Sequence, residues 1–415
     1  MYNAYKYRLN PTTDQAQLFA RWEGSTRWLW NQFLAKNNEQ YKIDKKFIWG
    51  YDLKKTIPEL KKQYEWLKNT PAGALQSVAF DLDKSLKRAT IKKDQGFPKF
   101  KAKHRNHGAI KIDQVGTHIK VSKTHITIPK IGEVKWKYHR PISGVVKQIS
   151  ITKDVKHWYV SVVCEVPDVP LITEIDKSKT IGIDLGISDF AVLSDGTKIK
   201  GPNYFKKYMR RLKKYQRRLA KKVKGSANRG HAGRRVAQVH QKIRNSRADW
   251  LHKQSHALTE KYDVICVEDL KIQQLLQKKE LSRSIADQGW GIFVNQLVYK
   301  AKKKGKHLTK INPYLPSTKT CSCCGGIRKM KLSDRVYICE NEGCADYLKT
   351  KDRDLNAATN IHFWGLTATQ NITFTTPGTG GNKACGDTQI QETQAYDWHL
   401  EVSAKQEAAC PSGQR

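Results

Sequence analysis

The sequence predicts three kinds of lobe: one β-rich, one α-helical, and one α/β lobe that carries a metal-binding insert. Three observations predict it. Hydrophobic spacing is helical from residue 13 to about 92 and switches to period two over roughly 108–167. Two later apolar stretches, "TIGIDLGISDF" and "YDVICVEDL", each run into a carboxylate. Four cysteines then fall in one short segment, "CSCCGGIRKMKLSDRVYICENEGC".

Residues 4–9 alternate as a short strand that stops at Asn10-Pro11. From Thr13 the apolar positions Leu18, Phe19, Trp22, Trp28, Leu29, Phe33 and Leu34 recur at three-to-four spacing, the mark of an amphipathic helix. Helical stretches follow near 51–67 and 71–92. Most of their tryptophans and tyrosines read as core, with a minority left to stack on bases. After "GFPKFKAKHR", the segments "THIKVSKTHITIPKIGEVKWKYHR" and "VKQISITKDVKHWYVSVVCEV" read as hairpins. Because one strand precedes the helices, residues 1–12 and 95–170 are assigned to a β-barrel interrupted by a helical lobe at 13–94. The α/β lobe occupies 171–316 and 346–365, the cysteine module 317–345. The tail, 366–415, has three basic and five acidic residues with little periodicity, and reads as disordered.

The formal charge is +38, from 76 Lys and Arg against 38 Asp and Glu. Self-repulsion on that scale opposes compaction, so it points to a polyanionic partner, and nucleic acid is the commonest. A membrane surface is a poorer match: the basic residues line no strongly apolar helix face, and no apolar stretch approaches the ~20 residues that span a bilayer. No signal-type apolar region follows the N-terminal lysines, so a cytoplasmic location is expected. The basic residues concentrate at 206–247, where 17 Lys and Arg occur with no Asp or Glu. An ordinary exposed helix interleaves signs. This run reads as a helical hairpin following phosphates, broken at "GSANRGHAGRR", with Lys213, Lys214, Arg217, Arg218, Arg234 and Arg235 as contacts.

The acids follow from strand periodicity. Gly182, Asp184 and Gly186 share a face, opposite Ile181, Ile183, Leu185 and Ile187. A carboxylate flanked by residues without side chains leaves room for a metal and a phosphate. Glu268 ends the second buried strand, and Asp354 opens a helical segment in "KDRDLNAATNI". Each alone has an ordinary explanation, as a satisfied core acid, a solvated strand end and a helix N-cap. Together they predict a two-metal nuclease site. Converging carboxylates raise one another's pKa unless cations lie between them, and two Mg²⁺ suit an all-oxygen donor set. Asp269 and Asp352 are neighbouring acids, less well aimed.

The chain has nine cysteines, and in a reducing compartment a cluster argues for metal rather than disulfides. Cys321-x2-Cys324, fourteen residues, then Cys339-x4-Cys344 predicts one structural Zn²⁺. Cys323 is an extra thiol: pairing it with Cys321 would be strained, which favours Cys324. Four thiolates leave no open position for chemistry.

With these motifs in this order, the chain resembles the TnpB nucleases encoded by insertion sequences, relatives of type V CRISPR effectors. The resemblance rests on "GIDLGISDFAVLSDG", "ICVEDL", "STKTCSCCG", the paired cysteines and "DRDLNAATNI", and more softly on "YKYRLNPTTDQ", "STRWLWN" and "GFPKFKAKHR", over roughly residues 3–364. It implies a RuvC-type fold of the RNase H superfamily with an inserted zinc finger, and a wedge-like barrel interrupted by a recognition lobe. It implies RNA-guided cleavage of double-stranded DNA beside a short transposon-adjacent motif, with a guide RNA from the element's end. Tyr51 and Gln76 would meet that motif, in a monomer or homodimer. The x4 spacing departs from the commoner two-residue gap and puts the second knuckle's geometry in question. The competing readings are a strand-joining DNA transposase using the same acids, and a catalytically silent RNA-guided repressor.

Overall fold

The computed structural model describes residues 1–92, 96–103, 108–113, 115–277, 281–331, 333–369 and 373–375. The chain divides into two compact units, Met1–Asp168 and Val169–Arg415.

The first unit is built on β1 (Tyr2–Asn10), followed by helices α1 (Thr13–Asp44), α2 (Gly50–Lys55), α3 (Ile57–Gln63) and α4 (Ala72–Thr90). Strands β2 (Ile110–Ile112), β3 (His125–Ile128), β4 (Gly132–Lys137), β5 (Val145–Asp154) and β6 (His157–Glu165) come after them. Alternation sets the sheet's inner face: Tyr5, Tyr7 and Leu9 of β1 and Trp158, Val160, Val162 and Cys164 of β6 are buried at every second position. β1 pairs antiparallel with both β6 and β4, in the order β2-β5-β6-β1-β4-β3.

The expected barrel is open, with β2 and β3 at opposite edges. The reason lies in α1, whose Phe19 and Trp22 sit fully buried within the sheet's core, the Phe19 ring tilted against that of Trp158 with centroids 5.2 Å apart. A helix supplies the wall that more strands would have closed. A Thr12–Gln15 capping box starts α1. Its later residues Leu29, Trp30, Phe33 and Leu34 form a separate core with Leu75, Ala79, Leu82 and Leu86 of α4.

The second unit begins with β7 (Glu174–Asp176), β8 (Thr180–Asp184), β9 (Ala191–Leu193) and β10 (Lys198–Ile199). Helices α5 (Tyr204–Ala220) and α6 (Ala227–Lys261) lead to β11 (Val264–Glu268). Then come α7 (Ile272–Gln277), α8 (Ser282–Gln288), α9 (Trp290–Lys303), β12 (His307–Ile311), β13 (Val336–Ile338), β14 (Thr350–Asp352), α10 (Arg353–Thr367) and β15 (Thr373–Thr375). The main sheet has the order β10-β9-β8-β11-β12. β8, β11 and β12 run parallel, and β9 and β10 return antiparallel.

Both sheet faces are covered, which is why β8 and β11 read as nearly continuous apolar runs. Ile181, Ile183, Ile265 and Val267 pack against Leu251 and Leu258 of α6 and Phe293 and Leu297 of α9. The opposite face, with Gly182, Val264 and Cys266, carries α10. A Cβ on Gly182 would stand 2.3 Å from the Ala358 carbonyl oxygen, and one on Gly365 would stand 2.3 Å from the Cys266 sulfur. Gly182 therefore admits the helix rather than a metal, which corrects the room assigned to it from the sequence.

Two further expectations change. The helical hairpin breaks at residues 221–226 and not through "GSANRGHAGRR", because Ser226 N-caps α6 and Arg229 donates from Nη1 to the Leu219 and Lys222 carbonyls at 3.1 and 2.7 Å, closing the end of α5. The tail expected from residue 366 starts inside α10, and Thr373–Thr375 pairs parallel with Glu174–Asp176. Residues 370–372 and 376–415 of it lie outside the described residues.

Candidate functional site

Asp184 is the last residue of β8 and Glu268 the last of β11, and the parallel register that pairs Val267 with Ile183 sets these acids side by side. Ala358 and His362 lie over Gly182, so Asp354, in the first turn of α10, comes to the same end of the strands. Burial pushes the Asp184 carboxyl up to about 8, with the Glu268 and Asp354 charges adding to the rise and Arg353 opposing it. Glu268 is also raised by burial, against a lowering hydrogen bond from Ser317. Ser317 Oγ donates to Glu268 Oε1 at 2.6 Å, and Arg353 donates to Asp354 Oδ1 from Nε at 3.0 Å and Nη2 at 2.8 Å.

Asp184 thus senses the other two carboxylates, and the three offer only oxygen, a donor set suited to Mg²⁺. Among the described residues, the only groups whose ligand atoms all lie within 4.8 Å of one another contain thiols. The three carboxylates, two of them held by Ser317 and Arg353, are not drawn into one ligand shell.

The thiols are. Cys321, Cys324, Cys339 and Cys344 bring their sulfurs within 4.8 Å of one another, with Cys321–Cys344 at 4.0 Å and Cys324–Cys339 at 3.7 Å. Zn–S bonds of about 2.3 Å in a tetrahedron require S···S separations of about 3.8 Å, so this cluster can hold zinc. Gly325, at φ +74°, makes the tight turn, and its N–H donates to the Cys321 carbonyl at 3.0 Å. The longer second loop turns on Asn341, whose carbonyl accepts from Cys344 N at 3.0 Å and whose side chain accepts from Gly343 N at 3.1 Å. The ligand count therefore survives the x4 spacing. Cys323 lies outside the four, grouped with Cys344 and Asp346.

The neighbouring acids have other work. Asp352, not Asp354, N-caps α10, accepting from the Asp354 and Leu355 N–H groups at 3.0 Å, and it pairs with Lys198 at 2.6 Å. Asp269 is bridged by Lys271 and Lys310 at 3.0 and 3.1 Å.

The nucleic-acid contacts named from the sequence are distributed over both units. In the first, Tyr51 on α2 is 72% exposed and meets Phe80 edge-on, while Gln76 on α4 is half-buried. In the second, Lys213, Lys214, Arg217 and Arg218 of α5 and Arg234 and Arg235 of α6 are exposed. The hairpin's inner side is held by Leu212, Val239 and Ile243. Sequence reasoning missed Ser317, Arg353, Asn356 and Asn360. The two asparagines left a signal, as amides four apart in an otherwise apolar helix face.

The fold is shared with a solved structure. It superposes on a chain titled "Cryo-EM structure of the Cas12f1-sgRNA-target DNA complex" with a TM-score of 0.52, 15% identity, and coverage of 85% of this chain and 83% of that one. Family models described as "Probable transposase", "Cas12f1-like, TNB domain" and "Helix-turn-helix domain" match residues 161–279, 290–361 and 1–46. The last spans β1 and the single helix α1. The chain is 30% identical to the "Putative RNA-guided DNA endonuclease InsQ" of Escherichia coli (strain K12), over 86% of this chain and 91% of that protein. It is also 30% identical to a "Putative RNA-guided DNA endonuclease" of Streptomyces pristinaespiralis, over 88% and 90%. The chain belongs to the TnpB (IS605 OrfB) family.

Proposed function

We propose that this protein is an RNA-guided endonuclease that cleaves double-stranded DNA beside a short target-adjacent motif. The observation that carries the reading is the convergence of Asp184, Glu268 and Asp354, at the ends of two parallel strands and a helix start, where the charges of the other two acids add to the rise that burial imposes on Asp184. The sheet order, with an antiparallel β8–β10 meander joined to parallel β11 and β12, supports a RuvC-type, RNase H-like nuclease lobe. The names of the relatives support RNA guidance.

On this reading Asp184, Glu268 and Asp354 would hold two Mg²⁺, whose chemistry is activation of water and stabilisation of the leaving oxygen in phosphodiester hydrolysis. The protein's own contribution is positional. The strand register fixes the Asp184–Glu268 pair, α10 brings Asp354, and Ser317 and Arg353 orient two of the three carboxylates. The exposed bases of α5 and α6 follow the backbone of a guide–target duplex, which is read by charge and shape. Tyr51 and Gln76 are assigned to the target-adjacent motif.

The test is programmable cleavage with Asp184→Ala, expected to abolish cutting while DNA binding through the copurified guide remains near wild type. Cleavage at the wild-type rate overturns the assignment. A strand-joining transposase is the second reading, favoured by the description of the model matching residues 161–279. Sequencing the bound RNA discriminates: one discrete species supports guidance, and random fragments favour the transposase.

A further inference from the structure

Glu268 and Asp354, 86 positions apart in sequence, are tied to one short segment that leads into the thiol cluster. Ser317 donates to Glu268, and its own carbonyl accepts from Asn360 Nδ2 at 2.8 Å. Asn360 Nδ2 also reaches the Thr320 carbonyl at 2.7 Å. Asn356, one turn earlier on α10, donates to that same carbonyl at 2.7 Å and accepts from the Ser322 N–H at 3.0 Å. Cys321, a thiol of the cluster, stands between the two residues that Asn356 grips. On the other side, Arg353 links Asp354 to the segment before β13, donating from Nη1 to the Asp334 carbonyl at 2.7 Å and from its N–H to the Arg335 carbonyl at 3.0 Å.

Buried amides inside a helix are costly unless bonded. Here Ser317, Thr320, Asn356 and Asn360 are all buried, and the amides bond the irregular backbone at 317–322. Such a connected network holds its members in one arrangement. We propose that this segment is a clamp through which zinc at the four cysteines positions Glu268 against Asp354. Divalent-ion affinity at the carboxylates is then coupled to zinc occupancy, and the coupling runs equally in both directions. Ser317 and Asn360 act as positioning residues through Glu268. The proposal rests on the reading that the three acids bind divalent cations.

The test titrates Mn²⁺ into the full-length, nucleic-acid-free protein, following free Mn²⁺ by electron paramagnetic resonance, with zinc content measured in parallel. Ser317→Ala is expected to weaken Mn²⁺ binding by about tenfold, the lower end for losing a group that orients a metal ligand, with zinc still at one per chain. Ser317→Thr, which keeps the hydroxyl, restores affinity. Stripping zinc from the wild type weakens Mn²⁺ binding and adding it back restores it. Wild-type affinity in Ser317→Ala with zinc bound, failure of Ser317→Thr to rescue, or insensitivity to zinc removal each overturns the clamp. Asp184→Ala separates the two levels. If it abolishes Mn²⁺ binding while Ser317→Ala does nothing, the clamp alone fails; if it has no effect, the carboxylate reading fails with it.

Discussion

Asp184 stands under two opposed demands. Its strand buries Ile181 and Ile183, while its own carboxyl loses water and faces two other acids, and its pKa climbs from 3.8 to about 8. Between those values the folded chain keeps a proton that the unfolded chain has released, so stability falls as pH rises through that window and levels off above it. Chelator-treated protein is therefore expected to melt at progressively lower temperature from pH 4 to pH 8. Asp184→Asn, neutral and nearly isosteric, should melt higher than wild type at pH 8 and flatten part of the slope. Glu268, raised in the same direction, supplies some of the remainder. A slope identical in the variant would assign the pH dependence to other groups. Asp184 was legible in the sequence because a charge inside a run of isoleucines and glycines is anomalous. Ser317 carried no such mark: a serine after a proline is commonplace, and its role comes from a carboxylate 49 positions away.

Among the elements, α10 sets the site, since it carries Asp354 and lies across β8 and β11. Its approach depends on Gly182, where a Cβ would meet the Ala358 carbonyl at 2.3 Å and His362 N at 2.6 Å, both backbone atoms that cannot step aside. Gly182→Ala is expected to destabilise by at least about 1–3 kcal/mol, the range for overpacking a core. Gly230→Ala is a contrasting case. Its Cβ would have nothing within 4 Å inside α6, so up to about 1 kcal/mol of stabilisation is expected from helix propensity. Urea unfolding midpoints read both, and a neutral Gly182→Ala would mean that α10 does not seat as described. The strands and helices themselves were visible in the sequence, since periods of two and 3.6 are local properties. Open edges at β2 and β3 were not, because pairing is long-range and the plug, Phe19 and Trp22 of α1, lies more than eighty residues before β2. The hairpin's break was misplaced because Gly230 and Gly233 suggest a loop, whereas the Ser226 cap and the Arg229 bonds set the boundary.

For the whole molecule, net charge sets the long-range electrostatics. Of the +38, a dense share lies on α5 and the first half of α6, where the apolar residues turn inward and the cations stay in solvent. The second half of α6 packs into the main core through Leu251 and Leu258, so this basic hairpin is anchored to the sheet that ends in the acids. Each phosphate neutralised by such a cation releases counterions, contributing about 0.9 to the slope of log affinity against log salt on duplex DNA. Replacing Lys213, Lys214, Arg217 and Arg218 together by glutamine should lower that slope by up to about 3.6 and weaken binding equally across sequences. Tyr51→Ala makes the opposite prediction, with loss of discrimination at the target-adjacent motif and an unchanged slope, because a tyrosine carries no charge to exchange. A salt slope untouched by the fourfold change would place the phosphate track on other cations of this chain, and would separate the basic hairpin from nucleic-acid binding.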